Sequence, residues 1–234
     1  MNTLIALAGP VPAATRGDWD RYGPILWESL GQTLTMVLST MVIGGIGGLL
    51  LGLALYVTRT GGVLPSRSVN VVLNLFVNVF RPIPFIVLIL ALSPVTAAVV
   101  GTSIGTTAAI VPLSIAVTFG FSRIVEQNLV TINPGVIEAA RAAGAGPWRI
   151  IATLLVPEAL GPLILGYTFV VVAIVDMTAV AGAVGAGGLG SFALTYGFRR
   201  WDFLTMWVAI ALIIVLVQLA QFVGNRLARR ILRR

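Results

Sequence analysis

Acidic side chains that could take part in chemistry stand at two places in this chain of 234 residues. Glu138 lies in an alanine-rich stretch three residues before Arg141, a spacing at which the two could pair on one face of a helix. Asp176 follows a long apolar run, and an acid at membrane depth is costly enough to be a functional candidate by default. Glu138 is therefore a candidate for an ion pair on the surface of a helix. Asp176 suits a cation-binding or proton-carrying position, or else a paired or hydrated acid at the membrane surface.

Several chemistries are excluded by residue types that are missing from the chain. There is no cysteine and no histidine, and all fifteen basic residues are arginine. Thiolate metal sites, histidine bases and Ser-His or Cys-His nucleophile pairs are therefore excluded. A P-loop also needs a lysine to reach the phosphates of ATP. We expect no catalytic residue, no metal and no bound cofactor on this chain, so any energy must come from a partner or an ion gradient.

The elements that position these residues must lie in lipid. Hydrophobic residues make up 58% of the chain and charged residues only 10%, whereas soluble proteins carry about 25% charged residues. The net charge of +7 arises from arginines between and after the apolar runs, where they orient a membrane protein rather than bind nucleic acid. We therefore predict an all-α integral membrane protein, with lipid as a partner and without nucleic acid.

Five stretches reach the roughly 20 apolar residues that a membrane helix needs: 33–57, 71–92, 97–121, 150–175 and 204–223. Ten arginines follow the first, third and fifth stretches, against four on the opposite side. By the positive-inside rule the side with ten is cytoplasmic. This places the N-terminus outside and the C-terminus inside. We predict one membrane domain over 1–234, with a short external tail over 1–24.

Glycines and prolines within these stretches predict close packing and broken helices. Gly44, Gly48 and Gly52 recur every four residues, a ridge that lets helix backbones approach closely. Packing inside the subunit is favoured over a dimer seam. Helices broken at membrane depth are tolerated where they face protein or a water-filled cavity, which favours a conduit over a membrane scaffold. The predicted breaks are at Pro82, Pro84, Pro112, Pro157 and Pro162.

The segment 134–149 lies on the predicted cytoplasmic side and has the signals of a short helix. Asn133 followed by Pro134 is a cap and a first-turn proline, and Gly144 is a C-terminal stop. At about 1.5 Å per residue this helix is about 15 Å long. Its small alanines would let it seat deeply in a groove of a partner.

The order of residues in this loop resembles the EAA loop of ABC-importer permeases. The matching residues are Glu138-Ala139-Ala140, then Gly144 after three more residues, then Leu154 to Pro157. Four further segments are similar to the methionine-importer permease family, and the resemblance covers about residues 25–230. They are WESLGQTLTMV (27–37), RPIPFIVLIL (81–90), GTSIGTTAAIVPL (101–113) and GAVGAGGLG (182–190).

The resemblance implies a homodimer with the pore at its interface, carrying methionine (D or L) or a related amino acid. It implies two separate ATP-binding subunits, which use ATP and Mg²⁺, and an extracytoplasmic substrate-binding lipoprotein. The loop 134–149 is then the coupling helix that docks into the ATP-binding subunit. The implied coupling residues are Glu138, Ala139, Ala140, Arg141, Gly144 and Pro157.

The candidate pathway residues are Asp176, Met177, Thr178 and Ser191. The acid could meet a substrate ammonium group and methionine offers adaptable contacts, while packing is the alternative for the other three. Two other functions stay open. One is a permease for another small solute such as an osmoprotectant. The other is a proton-coupled secondary transporter with Asp176 or Glu158 as the relay, which leaves the cytoplasmic loop without a purpose.

Overall fold

The computed structural model describes residues 19–232, which form helices and connecting turns and include no strand. We number the α-helices in chain order. They are α1 Trp19–Thr58, α2 Arg67–Phe80, α3 Phe85–Ala91, α4 Ser93–Val100, α5 Thr106–Val130, α6 Pro134–Ala142, α7 Pro147–Ile150, α8 Val156–Ala183, α9 Gly188–Phe192 and α10 Phe203–Leu232. A π-helical turn, Ile151–Leu155, joins α7 to α8. A π-helical turn, Ala193–Gly197, and a 3₁₀ turn, Phe198–Arg200, join α9 to α10.

Four helical segments among the described residues are long and apolar enough to cross a membrane. They are α1, α5, the segment Pro147–Ala183 and Phe203–Arg230. Helices α2 and α3 together make a fifth crossing if they are counted as one broken span, bent by 106°. The all-helical membrane fold predicted from composition is therefore confirmed, with four or five crossings.

The third predicted span, 97–121, is shifted towards the C-terminus in the structure. Gly101 ends α4 with φ +85°, and Gly105 precedes α5 with φ +103°. The helix is therefore interrupted between these two glycines. Helix α5 then continues to Val130. The prediction was wrong here because hydropathy is continuous across two glycines with positive φ, of which Gly101 ends α4 and Gly105 precedes α5.

Not every proline breaks its helix. The break predicted at Pro82 and Pro84 is confirmed, since α2 ends before them and the chain turns sharply into α3. Pro157 follows the π-helical turn, which absorbs the missing amide hydrogen bond before α8. The breaks predicted at Pro112 and Pro162 were wrong, because both lie inside continuous helices packed against neighbours.

The centre of the bundle is the contact between α1 and α5. A Cβ atom added to Gly44 or Gly48 would lie 2.8 Å from the Cβ atom of Val117 or Phe121. At Gly52 it would lie 2.5 Å from the Ser122 carbonyl oxygen. The predicted glycine ridge is therefore confirmed, and it packs inside the subunit. Helix α8 packs on both helices of this pair, and α10 packs on α8.

Helix α1 begins at Trp19, so the last residues of the predicted 1–24 tail are helical, and residues 1–18 of that tail lie outside the described part. Tyr22 and Leu26 are buried against Leu189 and Phe192. The glycine-rich turn after α8 is held to α1, because the amide of Gly188 donates to Gln32 Oε1 at 2.7 Å. This end of the bundle lies opposite to the end that carries α6.

Candidate functional site

Helix α6, the short helix between α5 and α7, is closed at both ends by local hydrogen bonds. The Asn133 side chain accepts a bond from the amide of Gly135 at 2.9 Å, and Pro134 occupies the first turn. At the other end Gly144 has φ +80°, and the amide of Ala145 donates to the Ala140 carbonyl at 3.0 Å. These are an Asx cap and a Schellman motif. Both ends of this helix are therefore encoded locally, as the sequence predicts.

One apolar and one polar contact hold α6 against the bundle. Ile137 is buried, in a cluster with Val57 and Ile150. Arg141 Nη2 donates to the carbonyl of Gly62, in the turn between α1 and α2, at 2.7 Å. The pairing of Arg141 with Glu138 was wrong, since the guanidinium reaches the neighbouring turn instead. Glu138 is left exposed and makes no ion pair with any residue in 19–230.

The outward side of α6 presents a carboxylate among small and apolar side chains. Glu138 and Ala139 are exposed, Val136 is 45% exposed and Trp148 just beyond the helix is 76% exposed. Ala140, in contrast, is half-buried and packs on the cluster around Ile137. A short, rigid helix with this surface is suited to seating in a groove on another protein. Its rigid attachment would pass any displacement on to α1, α5 and α7.

Pro157, the last of the predicted coupling residues, does not lie on α6. It is exposed at the start of α8, directly after the π-helical turn. That turn is anchored by Ile150 and Leu155, whose side chains are 1% and 0% exposed. Pro157 therefore lies where α8 leaves the end of the bundle that carries α6.

Gly144 offers a direct check on the structure of α6. Alanine at Gly144 meets no atom within 4 Å but must adopt φ +80°, which costs about 1–2 kcal/mol. We expect Gly144→Ala to speed hydrogen exchange of the last-turn amides of α6 by about fivefold or more. Gly146→Ala is the matched control, because Gly146 is equally open and has φ −69°. Equal exchange in the two variants would contradict the Schellman assignment.

The candidate pathway residues do not share one face. Asp176 is exposed on α8, on the same side as Phe169, which is 70% exposed. Thr178 is 3% exposed, and its hydroxyl donates to the Val175 carbonyl at 2.7 Å within the helix. Met177 packs into the core beside α1 and α5. Ser191 is half-buried on α9.

Asp176 is thus an exposed acid on an apolar helix that is long enough to span a membrane, without an ion pair among residues 19–230. Such a carboxylate must be covered by water, by a cation or by another polypeptide, because hydrocarbon does not solvate it. This arrangement fits a wall of an aqueous path formed with a second chain. Thr178 and Met177 line the interior of the subunit instead.

A polar cluster that the sequence analysis missed joins α2 to α5. Arg123 pairs with Glu126, and its Nη2 atom donates to Asn74 Oδ1 at 2.8 Å and to Asn78 Oδ1 at 2.7 Å. The predicted third span ended at residue 121, which left Arg123 in a loop. The available signal was the spacing of Asn70, Asn74 and Asn78, which recur every four residues in an apolar helix.

These features define the class: a multi-pass helical membrane protein with a broken helix and a short, capped helix exposed at one end of the bundle. Residues 44–233 match the family described as "Binding-protein-dependent transport system inner membrane component". The chain belongs to this family, and it is therefore a multi-pass component of a bacterial inner membrane.

Within this family, the chain is similar to proteins that are named for methionine transport. It is 42% identical over 207 residues to the "Probable D-methionine transport system permease protein MetI" of Vibrio cholerae, covering 88% of this chain and 92% of that protein. It is 37% identical to the "Methionine import system permease protein MetP" of Bacillus subtilis, covering 86% and 90%. Its fold matches a chain of the inward-facing MetNI methionine ABC transporter with a TM-score of 0.88 and 39% identity, covering 91% and 98%.

Proposed function

We propose that this chain is the permease subunit of an ATP-driven importer and forms the translocation pathway for methionine or a closely related amino acid. The observation that carries the proposal is α6, a short helix capped at both ends, anchored by Ile137 and Arg141, with Glu138 exposed. It sits in a chain similar over most of its length to permeases named for methionine transport. The family membership leaves no support for the proton-coupled alternative.

The proposed topology has five crossings, with α2 and α3 forming one broken span. The N-terminus, with the tail 1–24, is external and the C-terminus is cytoplasmic, in a single permease domain over 1–234 whose coupling loop is 134–149. Support comes from charge, because Arg59, Arg67, Arg149 and Arg226 lie at ends of helices on the side of α6. An excess of arginine marks the cytoplasmic side.

The proposed assembly is a homodimer with two ATP-binding subunits below it and a substrate-binding lipoprotein outside. ATP and Mg²⁺ are bound by the ATP-binding subunits, and α6 is the coupling helix. Glu138 and Ala139 form its docking surface, Ala140 and Arg141 hold it to the bundle, and Gly144 ends it. Pro157 directs α8. The exposed face of α8 that carries Asp176 faces the pore, which supplies the water that its carboxylate needs.

The experiment that tests this proposal is reconstitution of the chain with its ATP-binding subunit and binding protein in proteoliposomes. We expect the subunits to co-purify and to accumulate methionine only when ATP is supplied. A pH gradient without ATP is the control for the proton-coupled alternative. Uptake driven by that gradient, or failure of the ATP-binding subunit to bind, would contradict the proposal. ATP-driven uptake of an osmoprotectant but not of methionine would show that the substrate is a different one.

Substitution of Asp176 tests whether this residue lines the translocation pathway. We expect Asp176→Asn to lower methionine uptake by about tenfold, because a charged hydrogen bond contributes about 1.5–3 kcal/mol and the amide lacks the charge. Subunit assembly should be unaffected. The control is Glu28→Gln, which removes an exposed carboxylate from α1. Equal uptake by both variants would place Asp176 outside the pathway.

A further inference from the structure

Helix α2 is attached to the bundle by few contacts. Only Val77 among its fourteen residues is buried. Its outer face is apolar and exposed, with Val71 at 58% and Leu75 at 61%. One aromatic contact, between Phe80 and Phe119 of α5 with ring centroids 4.8 Å apart, holds its far end. Within the subunit, the orientation of α2 therefore depends on its polar contacts as well as on Val77 and Phe80.

Those polar contacts form a continuous chain of hydrogen bonds through three helices. On α2, Asn74 Nδ2 donates to Asn70 Oδ1 at 3.0 Å. Asn70 Nδ2 in turn donates to the Leu55 carbonyl of α1 at 2.9 Å. On the other side, Nη2 of Arg123 on α5 donates to both Asn74 and Asn78, while its Nη1 pairs with Glu126. We call Asn70, Asn74, Asn78, Arg123 and Glu126 the arginine–asparagine ladder.

Stability alone does not account for charges in this ladder. The Arg123 and Glu126 side chains are 16% and 19% exposed. Removing such a pair from water costs about as much as the pair regains, and apolar residues of similar volume often hold a structure equally well. Arginine does offer something that an apolar residue cannot, a planar fork whose donors are fixed relative to one another. It can therefore set the angle of a helix as well as its distance.

Helix α6 is linked to both helices of the ladder, through the chain to α5 and through a separate hydrogen bond to the turn before α2. Helix α5 ends at Val130 and α6 begins at Pro134, so Arg123 stands about two turns before the end of α5. From α6, Arg141 reaches the carbonyl of Gly62, in the turn that leads to α2, at 2.7 Å. Arg123 thus ties α2 itself to α5, and Arg141 ties α6 to the turn that precedes α2. Beyond α2 the chain bends by 106° into α3.

We propose that Arg123 is a positioning residue that makes α2 move together with α5 and the coupling helix. A displacement of α6 by the ATP-binding subunits then reaches the broken helix α2–α3 through the ladder. This inference rests on the proposed function, because it assigns a path for the movement that ATP drives. Arg123 itself contacts no substrate in this path.

The test follows α2 and α5 separately in the assembled transporter. The chain has no cysteine, so a single introduced cysteine can carry a spin label when the partner subunits are also cysteine-free. Leu75→Cys reports on α2, and Thr131→Cys reports on the end of α5. In a homodimer each gives one distance between the two copies, measured with and without trapped ATP. The perturbing variant is Arg123→Met with Glu126→Gln, which removes both charges and leaves the net charge unchanged.

We expect trapped ATP to shift both distances in the unsubstituted transporter. In the double variant the shift at Thr131 should remain, while the shift at Leu75 falls to less than about half. Methionine transported per ATP hydrolysed should fall about tenfold, with ATP hydrolysis itself retained. Arg123→Lys should give an intermediate loss, because lysine keeps the charge but not the fork.

Two further variants separate transmission from folding. Asn74→Leu with Asn78→Leu leaves the charged pair in place and should reproduce the loss of movement at Leu75. Asn128→Leu is the matched control, since Asn128 also lies on α5 and donates only to the Ile124 carbonyl of its own helix, at 2.7 Å. A full shift at Leu75 in the double variants would overturn the inference. Absence of any shift at Thr131 in the unsubstituted transporter would overturn the proposed function instead.

Discussion

Reversal of charge at Glu138 is expected to abolish ATP-driven uptake while leaving the subunit folded. Glu138 is exposed on α6 and bonds to nothing in residues 19–230, so Glu138→Arg breaks no contact within the subunit. In the proposed complex it would press a guanidinium into a groove that accepts a carboxylate. Loss of one partner of a buried charge pair costs about 2–5 kcal/mol, and the ATP-binding subunit should bind at least about thirtyfold more weakly.

The measurement is the amount of ATP-binding subunit that co-purifies with the permease, together with uptake by proteoliposomes. Asp20→Arg is the matched control, because Asp20 is an exposed carboxylate at the opposite end of the bundle. Both variants should show the same thermal unfolding temperature in detergent. Normal assembly of the Glu138→Arg transporter would show that α6 docks through another surface.

Substitution of Gly52 is the second change with a large expected effect, and it lowers the stability of the subunit rather than its coupling to ATP hydrolysis. A Cβ atom at this position would lie 2.5 Å from both the Ser122 carbonyl oxygen and the Cβ atom of Val125. Backbone cannot move aside as a side chain can. We expect Gly52→Ala to destabilise the subunit by about 1–3 kcal/mol and Gly52→Val by more. Thermal unfolding of the purified subunit measures both changes.

The control for Gly52 lies on the same helix. Gly31 has no atom within 4 Å of an added Cβ atom, and alanine is favoured over glycine in a helix by about 1 kcal/mol. Gly31→Ala should therefore leave the unfolding temperature unchanged or raise it. If Gly52→Ala behaves in the same way as Gly31→Ala, the α1–α5 contact is looser than the structure shows.

The two predictions concern different parts of one mechanism. The close contact of α1 with α5 makes a rigid centre, and α6 is attached directly to it through Ile137. Rigid elements transmit displacement, whereas loosely packed ones absorb it. Helix α2 lies outside this centre, which is why its polar ties to α5 matter for movement.

Much of the docking helix could be predicted from sequence because its signals are local. Asn133, Pro134 and Gly144 act within a few residues of where they stand, and each has the predicted role. The direction of Arg141 could not be predicted, because Gly62 is 79 positions away along the chain. Spacing alone favoured Glu138 as its partner, but the turn between α1 and α2 offered a carbonyl that no local rule could anticipate.

The membrane spans, too, could be predicted only in part. Hydropathy located α1, α8 and α10, since burial in lipid is a property of composition. It misplaced the third span, because two glycines with positive φ divide an otherwise continuous apolar run. For the same reason Arg123 was assigned to a loop and its ladder was missed.

By itself, the sequence determined the class of protein, the capped helix α6 and the glycine ridge, since each depends on residue type and short spacing. The tertiary structure decided which side chains meet. Asp176 and Thr178 are two residues apart, yet one is exposed and the other is buried. Each residue turns a helix by about 100°, so neighbours in sequence face different surroundings. Only the packing of the other helices decides which face lines a pathway, which is buried and which contacts another helix.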